Sequence, residues 1–135
     1  MAQNRKLQNL IEPNHVKGGV SRLTGGQVPI CYIASFMTAG AADVDIVVDR
    51  AFTVIDAWAR LDEAGTAGDT ITVKGGTDVI MTAIDISSGG NKDIVRAAEI
   101  DNDHAVMTAG ETLRVSLAAG GDAAACEVYI LGILS

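Results

Sequence analysis

Histidine, the commonest metal ligand among the side chains, is scarce in this sequence. The chain contains two histidines: His15 lies near the N-terminus, and His104 stands beside Asp101 and Asp103. A site with two histidine ligands would require the segment around His15 to fold back onto the loop around His104. The acidic residues near His104 do not continue into a calcium-binding loop with its glycine and distal glutamate. We therefore expect solvated turns there, with no metal and no cofactor bound.

Nucleophile motifs of the common hydrolases are also missing from the sequence. It has no G-x-S-x-G stretch, and neither Cys31 nor Cys126 has a neighbouring histidine that would activate its thiol. Both cysteines stand in apolar, strand-like runs, so we expect two unpaired thiols in the core. The alternative is a disulfide between the terminal strands. The sequence therefore predicts no enzyme, and a hydrolase that uses paired carboxylates is the weakest hypothesis.

Composition favours a single β-rich domain. The 135 residues suffice for one domain, and 48% of them are hydrophobic against 20% charged. The 13 valines and 13 isoleucines outnumber the 8 leucines, and only 4% of the residues are aromatic. Because β-branched side chains pack well on a pleated sheet and are restricted in helices, this ratio favours strands and a core of Val, Ile and Ala.

The hydrophobic pattern from residue 30 onward has a period of two. Runs of strand length are separated by Gly-rich or Asp-rich turns at residues 39–43, 64–69, 109–111 and 119–122. This pattern predicts an all-β domain over residues 30–135, a β-sandwich or jelly-roll-like fold of about eight strands. Alternation alone does not give the strand order.

Aromatic side chains are expected mostly in the core. All five stand in predicted strands: Tyr32, Phe36, Phe52, Trp58 and Tyr129. Strict alternation places Phe52, Val54, Asp56 and Trp58 on one face of a single long strand. Core packing is therefore the favoured interpretation of most aromatic residues, rather than a platform for sugars.

Residues 1–29 differ from the rest of the chain. They contain both prolines and two glycine pairs, and no apolar period is sustained. Their net charge is +3, whereas residues 30–135 carry −10. The overall charge of −7 argues against nucleic-acid binding, and no stretch has the length of a membrane helix or the apolar region of a signal peptide. We predict an extended basic arm that docks on an acidic neighbour; the alternative is a solvated tail.

Four segments resemble the small β-sandwich structural proteins of tailed bacteriophages. They are residues 51–61 (AFTVIDAWARL), 69–74 (DTITVK), 95–101 (VRAAEID) and 109–115 (AGETLRV). In such proteins a strand similar to V-I-D-A-W precedes T-I-T-V and a late G-x-T-L-R-V strand. The likeness covers roughly residues 40–134. Within that group the sequence is most similar to capsid decoration, or cement, proteins, which are acidic in the body and often trimeric.

This resemblance implies a virion protein on the capsid surface, made in the cytoplasm of a host bacterium. Its implied partners are the major capsid protein and further copies of itself in a homotrimer, with no nucleic acid or membrane. From the charge asymmetry we expect the arm to contact the capsid through basic and apolar side chains: Arg5, Lys6, Leu7, Leu10, Ile11, Lys17 and Arg22. The alternative is a tail, fibre or baseplate module that binds a host glycan or another tail protein.

Overall fold

The structure, a computed structural model, describes residues 28–37, 43–118 and 124–135. These residues form ten strands and no helix. All the strand pairs are antiparallel. The strands are β1 (Pro29–Phe36), β2 (Val44–Val47), β3 (Phe52–Leu61), β4 (Thr70–Gly75), β5 (Asp78–Val79), β6 (Ile84–Asp85), β7 (Ile94–Arg96), β8 (Val106–Met107), β9 (Thr112–Ala118) and β10 (Cys126–Leu134).

Two sheets are formed, each with one interrupted edge. Sheet A has the order β1-β10-β3-β7, and β8 pairs with β3 beyond the end of β7. Sheet B has the order β2-β9-β4-β5, and β6 pairs with the other end of β4, beyond the end of β5. If each interrupted edge is counted once, the two sheets have eight strand positions. The described residues thus form ten strands where about eight were predicted, because one edge position of each sheet is divided into two short strands.

The path of the chain between the sheets is that of a jelly roll. Strands β1 to β4 lie alternately in sheet A and sheet B. The last two strands are inserted between them: β9 lies between β2 and β4 in sheet B, and β10 lies between β1 and β3 in sheet A. Two Greek keys wound together give this order. The all-β sandwich prediction is confirmed, and the strand order that the sequence left open is jelly-roll-like.

The core lies between the two sheets. Sixteen of the 23 buried hydrophobic residues in the described segments are Val, Ile or Ala, as the composition predicts. Small side chains such as Ala57 and Ala59 at the middle of sheet A leave room for larger ones from both sheets. The largest of the fully buried side chains are Phe36, Phe52, Leu61, Ile71, Ile80, Met81, Ile84, Ile86, Met107, Leu113 and Ile130.

A β-bulge in β3 decides which of its side chains point inward. Leu131 pairs with Asp56 and Gly132 with Val54, so Ile55 is left without a partner on β10. The extra residue reverses the alternation, and the buried residues continue at Ala57 rather than at Asp56. The expectation that Trp58 shares a face with Phe52 and Val54 is therefore wrong.

Gly132 is needed where the bulge closes. A Cβ atom on this residue would lie 2.7 Å from the carbonyl oxygen of Thr53 and closer still to the ring of Phe52. The glycine lets β10 approach β3 while the ring of Phe52 stays in the core. The packing between the sheets thus depends on a residue without a side chain at this position.

Candidate interaction surface

The two sheets differ in the side chains that they present outward. The outward positions of sheet B are mostly polar or charged: Asp45, Thr70, Thr72, Lys74, Arg114 and Ser116. The outward positions of sheet A are largely apolar. We call this surface the aromatic face, and it consists of Ile33, Ile55, Trp58, Ile94, Arg96, Val106, Tyr129, Leu131 and Ile133. Because contiguous apolar patches are uncommon on monomers and often functional, this face is the candidate interaction surface.

The centre of the aromatic face is a row of side chains that crosses four strands. Antiparallel register places Ile33 opposite Tyr129, Tyr129 opposite Trp58, and Trp58 opposite Arg96. The rings of Trp58 and Tyr129 are stacked, with centroids 5.5 Å apart and planes 11° apart. The guanidinium carbon of Arg96 lies 5.1 Å from the centroid of the Trp58 ring, which is a cation–π arrangement. Trp, Tyr and Arg are the residue types most enriched at the centres of protein interfaces.

Charged side chains at one end of the face hold the Tyr129 ring in place. Arg60 donates from Nη2 and Nε to Oε1 of Glu127 at 2.8 and 3.2 Å, and Tyr129 Oη donates to the same oxygen at 3.1 Å. These bonds, that from Arg60 first, hold the pKa of Glu127 below its usual range. Arg60 also contacts Asp62 at 3.0 Å. The network fixes the ring that stacks on Trp58.

Ion pairs neutralise Arg96, the charged residue of this face, and the charged side chains at its margin, which are Asp56, Arg60, Asp62, Lys92 and Glu127. Arg96 pairs with Asp56, Arg60 with Glu127 and Asp62, and Lys92 with Asp62. The three basic and three acidic residues cancel. The other described residues include three basic and twelve acidic side chains, a net charge of −9. The aromatic face is thus an apolar, neutral surface on a strongly acidic body.

The capsid-contact residues predicted from the sequence lie outside the described residues. These are Arg5, Lys6, Leu7, Leu10, Ile11, Lys17 and Arg22, and their role stays a prediction. The same holds for the arm over residues 1–29, of which only the last two are described.

The prediction for the aromatic residues is confirmed for three of the five. Phe36 and Phe52 are buried, and Tyr32 packs on Phe52 with ring centroids 5.2 Å apart. The prediction is wrong for Trp58 and Tyr129, which lie on the aromatic face. The charged residues Asp56 and Arg60, which stand two residues before and after Trp58, were the sequence signal that this side of β3 faces outward.

The cysteines are both free and lie in different environments. Cys126 is buried, and burial raises the pKa of its thiol to about 11. Cys31 is exposed on β1, where it pairs with Leu131 at the rim of the aromatic face, whereas Cys126 pairs with Phe36 at the far end of the strand. The expectation of two core thiols is therefore confirmed for Cys126 and wrong for Cys31, because Cys31 lies on the outward side of β1, away from the core.

The turn around His104 is exposed. Asp101 Oδ2 lies 2.9 Å from Nδ1 of His104, and Asp101 Oδ1 accepts a hydrogen bond from the backbone of Asp103 at 3.0 Å. These contacts, that with His104 first, lower the pKa of Asp101, and the same hydrogen bond raises the pKa of His104. Across residues 28–37, 43–118 and 124–135, no three His, Cys, Asp or Glu side chains are grouped to hold a metal ion.

An open groove of about 530 Å³ lies next to this turn, between the β5–β6 edge and residues 99–102. Its lining includes Glu99 and Asp101, together with Met81 and Ile100, which form a β-bridge. Because Asp101 has a lowered pKa, it is ionised at neutral pH and suits a hydrogen-bond acceptor better than a general acid.

Comparison with known protein families, with curated proteins and with solved structures finds no match to this chain. Within the part of the chain that the structure describes, no helix has the length and apolar character to cross a membrane.

Proposed function

We propose that this chain is a capsid decoration protein, a virion structural protein that binds the outside of a tailed-phage head and stabilises the shell. The observation that carries the proposal is the aromatic face, an apolar and neutral surface on a jelly-roll body that is otherwise acidic. Jelly-roll domains recur in viral capsids, which supports the proposal by analogy of fold. The resemblance of residues 51–61 and 109–115 to phage structural proteins supports it from the sequence.

The proposed division of labour follows the charge distribution. The basic N-terminal segment contacts the major capsid protein, and the acidic body keeps the protein soluble at high copy number. The copies form a homotrimer, so that several arms act together. Multivalent binding then gives tight attachment although each arm contact is modest.

Copy number in the particle tests the location. In a sucrose gradient of the native lysate, the chain is expected to sediment with large particles, at a number of copies comparable to that of the major shell protein. Quantitative immunoblotting against purified standards measures this ratio. A few copies per particle would point to a tail module, and recovery at the top of the gradient alone would contradict both locations.

The contribution of the arm is tested by charge removal. Replacing Arg5, Lys6, Lys17 and Arg22 together with alanine is expected to weaken binding to undecorated heads by at least about tenfold, because several favourable charge contacts are lost at once. Co-sedimentation with purified heads measures the binding affinity, and circular dichroism checks that the β-sheet signal is retained. Lys74→Ala, which removes one half-buried charge from the outward side of sheet B, is the control. Binding that is unchanged in the fourfold variant refutes the arm model.

The stacked pair on the aromatic face favours one second candidate, a tail, fibre or baseplate module that binds a host glycan. Sugar rings stack on aromatic side chains, and Trp58 is flanked by the polar groups of Asp56 and Arg96. A host-surface polysaccharide would then change the fluorescence of Trp58, the one tryptophan of the chain. Saturable quenching that is lost in Tyr129→Ser but kept in Thr72→Ser would support this function, and no change at millimolar sugar would exclude it.

A further inference from the structure

We infer that the aromatic face is the surface by which one copy of this chain docks on another. This inference goes beyond the proposed function, because a contact between the same face of two copies closes a pair, whereas a homotrimer needs two different surfaces. It also stands without a capsid. The inference concerns the free protein. Self-association can therefore be absent while capsid binding is observed, and capsid binding can be absent while self-association is observed.

Charge is the first argument for a second copy as the occupant. The described residues away from the aromatic face carry a net charge of −9, so two copies that approach by those surfaces repel each other. On the aromatic face and at its margin the three basic and three acidic side chains cancel. Two copies can therefore meet through this face without like-charge repulsion, and the ion pairs at its end can exchange partners across the contact.

The same argument disfavours the chain's own basic segment as the occupant. Residues 1–27 carry a net charge of +3. A segment of that charge is attracted to the acidic surfaces of the body, such as the groove lined by Glu99 and Asp101, rather than to a neutral face.

The side chains of the aromatic face also suit a protein partner. Trp58 and Tyr129 are held by stacking and by the Arg60–Glu127 network, so little side-chain entropy is lost when they are covered. Around them lie exposed apolar side chains, including Ile33 at 53% and Val106 at 56% exposure. A rigid aromatic centre with an apolar surround is the arrangement of a binding hot spot.

The size of the face sets the expected strength of association. Four strands spaced about 4.8 Å apart, over about seven residues of β1, give a flat area of roughly 400 Å². A standard interface covers about 800 Å² per partner. The contact between two free copies is therefore expected to be reversible and dependent on concentration.

Two native residues report on this face without engineering. Trp58 is the one tryptophan in the sequence, and it lies at the centre of the face. Cys31 is exposed at the rim, whereas Cys126 is buried. On association the fluorescence of Trp58 should shift to shorter wavelength, and a short bis-maleimide should link Cys31 of one copy to Cys31 of the next.

The test uses the 135-residue chain in sedimentation equilibrium and Trp58 fluorescence from ~1 μM to ~1 mM, a range that spans weak to moderate affinity. We expect the average mass to rise with concentration, together with the fluorescence shift and the Cys31 cross-link. Ile33→Glu is expected to raise the dissociation constant at least about tenfold by placing a charge in the central row. Val47→Glu makes the same change at an apolar side chain on the outer side of sheet B, 67% exposed, and should alter the constant less than about twofold.

Three outcomes would overturn the inference. The first is a mass that stays monomeric over the whole range with unchanged fluorescence. The second is an equal loss of association in Ile33→Glu and Val47→Glu. The third is a monomer whose binding to undecorated heads is abolished by Ile33→Glu alone, which would assign the face to the capsid protein and leave the proposed function standing. Self-association as expected without any binding to heads would retain the inference and refute the proposed function.

Discussion

Gly65→Ala is expected to lower the free energy of unfolding by about 3 kcal/mol, the upper part of the usual range for overpacking. A Cβ atom at Gly65 would lie 2.8 Å from the carbonyl carbon of Ile86 and nearer still to its oxygen. A side chain could rotate away from such a clash, but the backbone of Ile86 is held. Its oxygen accepts a hydrogen bond from Gly89 N at 3.0 Å, and Gly65 N donates to Gly89 O at 2.9 Å.

The variant must therefore move two segments of backbone apart. The segment after β3 and the segment after β6 would separate, and the side chain of Ile86, which is fully buried, would be displaced from the core. Urea unfolding followed by circular dichroism measures the loss, and a change of this size corresponds to a fall in melting temperature of roughly 10 °C.

Gly110→Ala is the matched control for this prediction. Nothing lies within 4 Å of a Cβ at Gly110, but its φ of +93° is a conformation that alanine rarely adopts. The cost there is conformational only, on the order of 1 kcal/mol. A loss at Gly65 no larger than that at Gly110 would show that the close approach to Ile86 relaxes easily.

Asp69→Ala is expected to lower the free energy of unfolding by about 2–4 kcal/mol, because it removes hydrogen bonds to a charged acceptor and leaves a buried donor without a partner. Asp69 is the one charged residue that is fully buried among those described. Its Oδ2 accepts from Thr66 N at 2.8 Å and from Ala124 N at 3.1 Å. Thr66 Oγ1 lies 3.2 Å from both carboxylate oxygens.

The carboxylate joins parts of the chain that are far apart in sequence. Thr66 belongs to the loop between β3 and β4, and Ala124 precedes β10, the central strand of sheet A beside β1 and β3. Without the carboxylate, the buried N–H of Ala124 loses its acceptor and the start of β10 is no longer tied to that loop. Asp69→Asn keeps one acceptor oxygen, so we expect its free energy of unfolding to fall less than that of Asp69→Ala.

Asp85→Ala is the control for burial. Asp85 makes similar local bonds, accepting from Ser87 N at 3.0 Å and from Ser87 Oγ at 2.6 Å, but it is exposed. Water replaces these bonds after truncation, so the loss should stay below about 1 kcal/mol. Chemical denaturation under one set of conditions measures the free energy of unfolding of Asp69→Ala, Asp69→Asn and Asp85→Ala. Equal losses at Asp69 and Asp85 would contradict the role assigned to the buried carboxylate.

The residues of β3 show how far the sequence pattern reaches. The alternation over residues 52–61 predicts a long strand with one apolar face, and this is confirmed. The alternation is interrupted at Ile55, where β3 has a bulge. The bulge depends on the register with Leu131 and Gly132 of β10, which lie far away in the sequence, so the residues around Ile55 do not reveal it. The interpretation of Trp58 as a core residue fails for the same reason, because one extra residue reverses every side chain that follows.

The sequence by itself determined the fold class, the Val, Ile and Ala core and the contrast between a basic N-terminal segment and an acidic body. These follow from local quantities, namely the β-branched composition, the period of two and the count of charges. Only the tertiary structure decided the jelly-roll order and the aromatic face. Trp58 and Tyr129 stack because β10 lies beside β3 in one register, and strand pairing between distant segments is set by the packing of the whole core rather than by the residues of either strand.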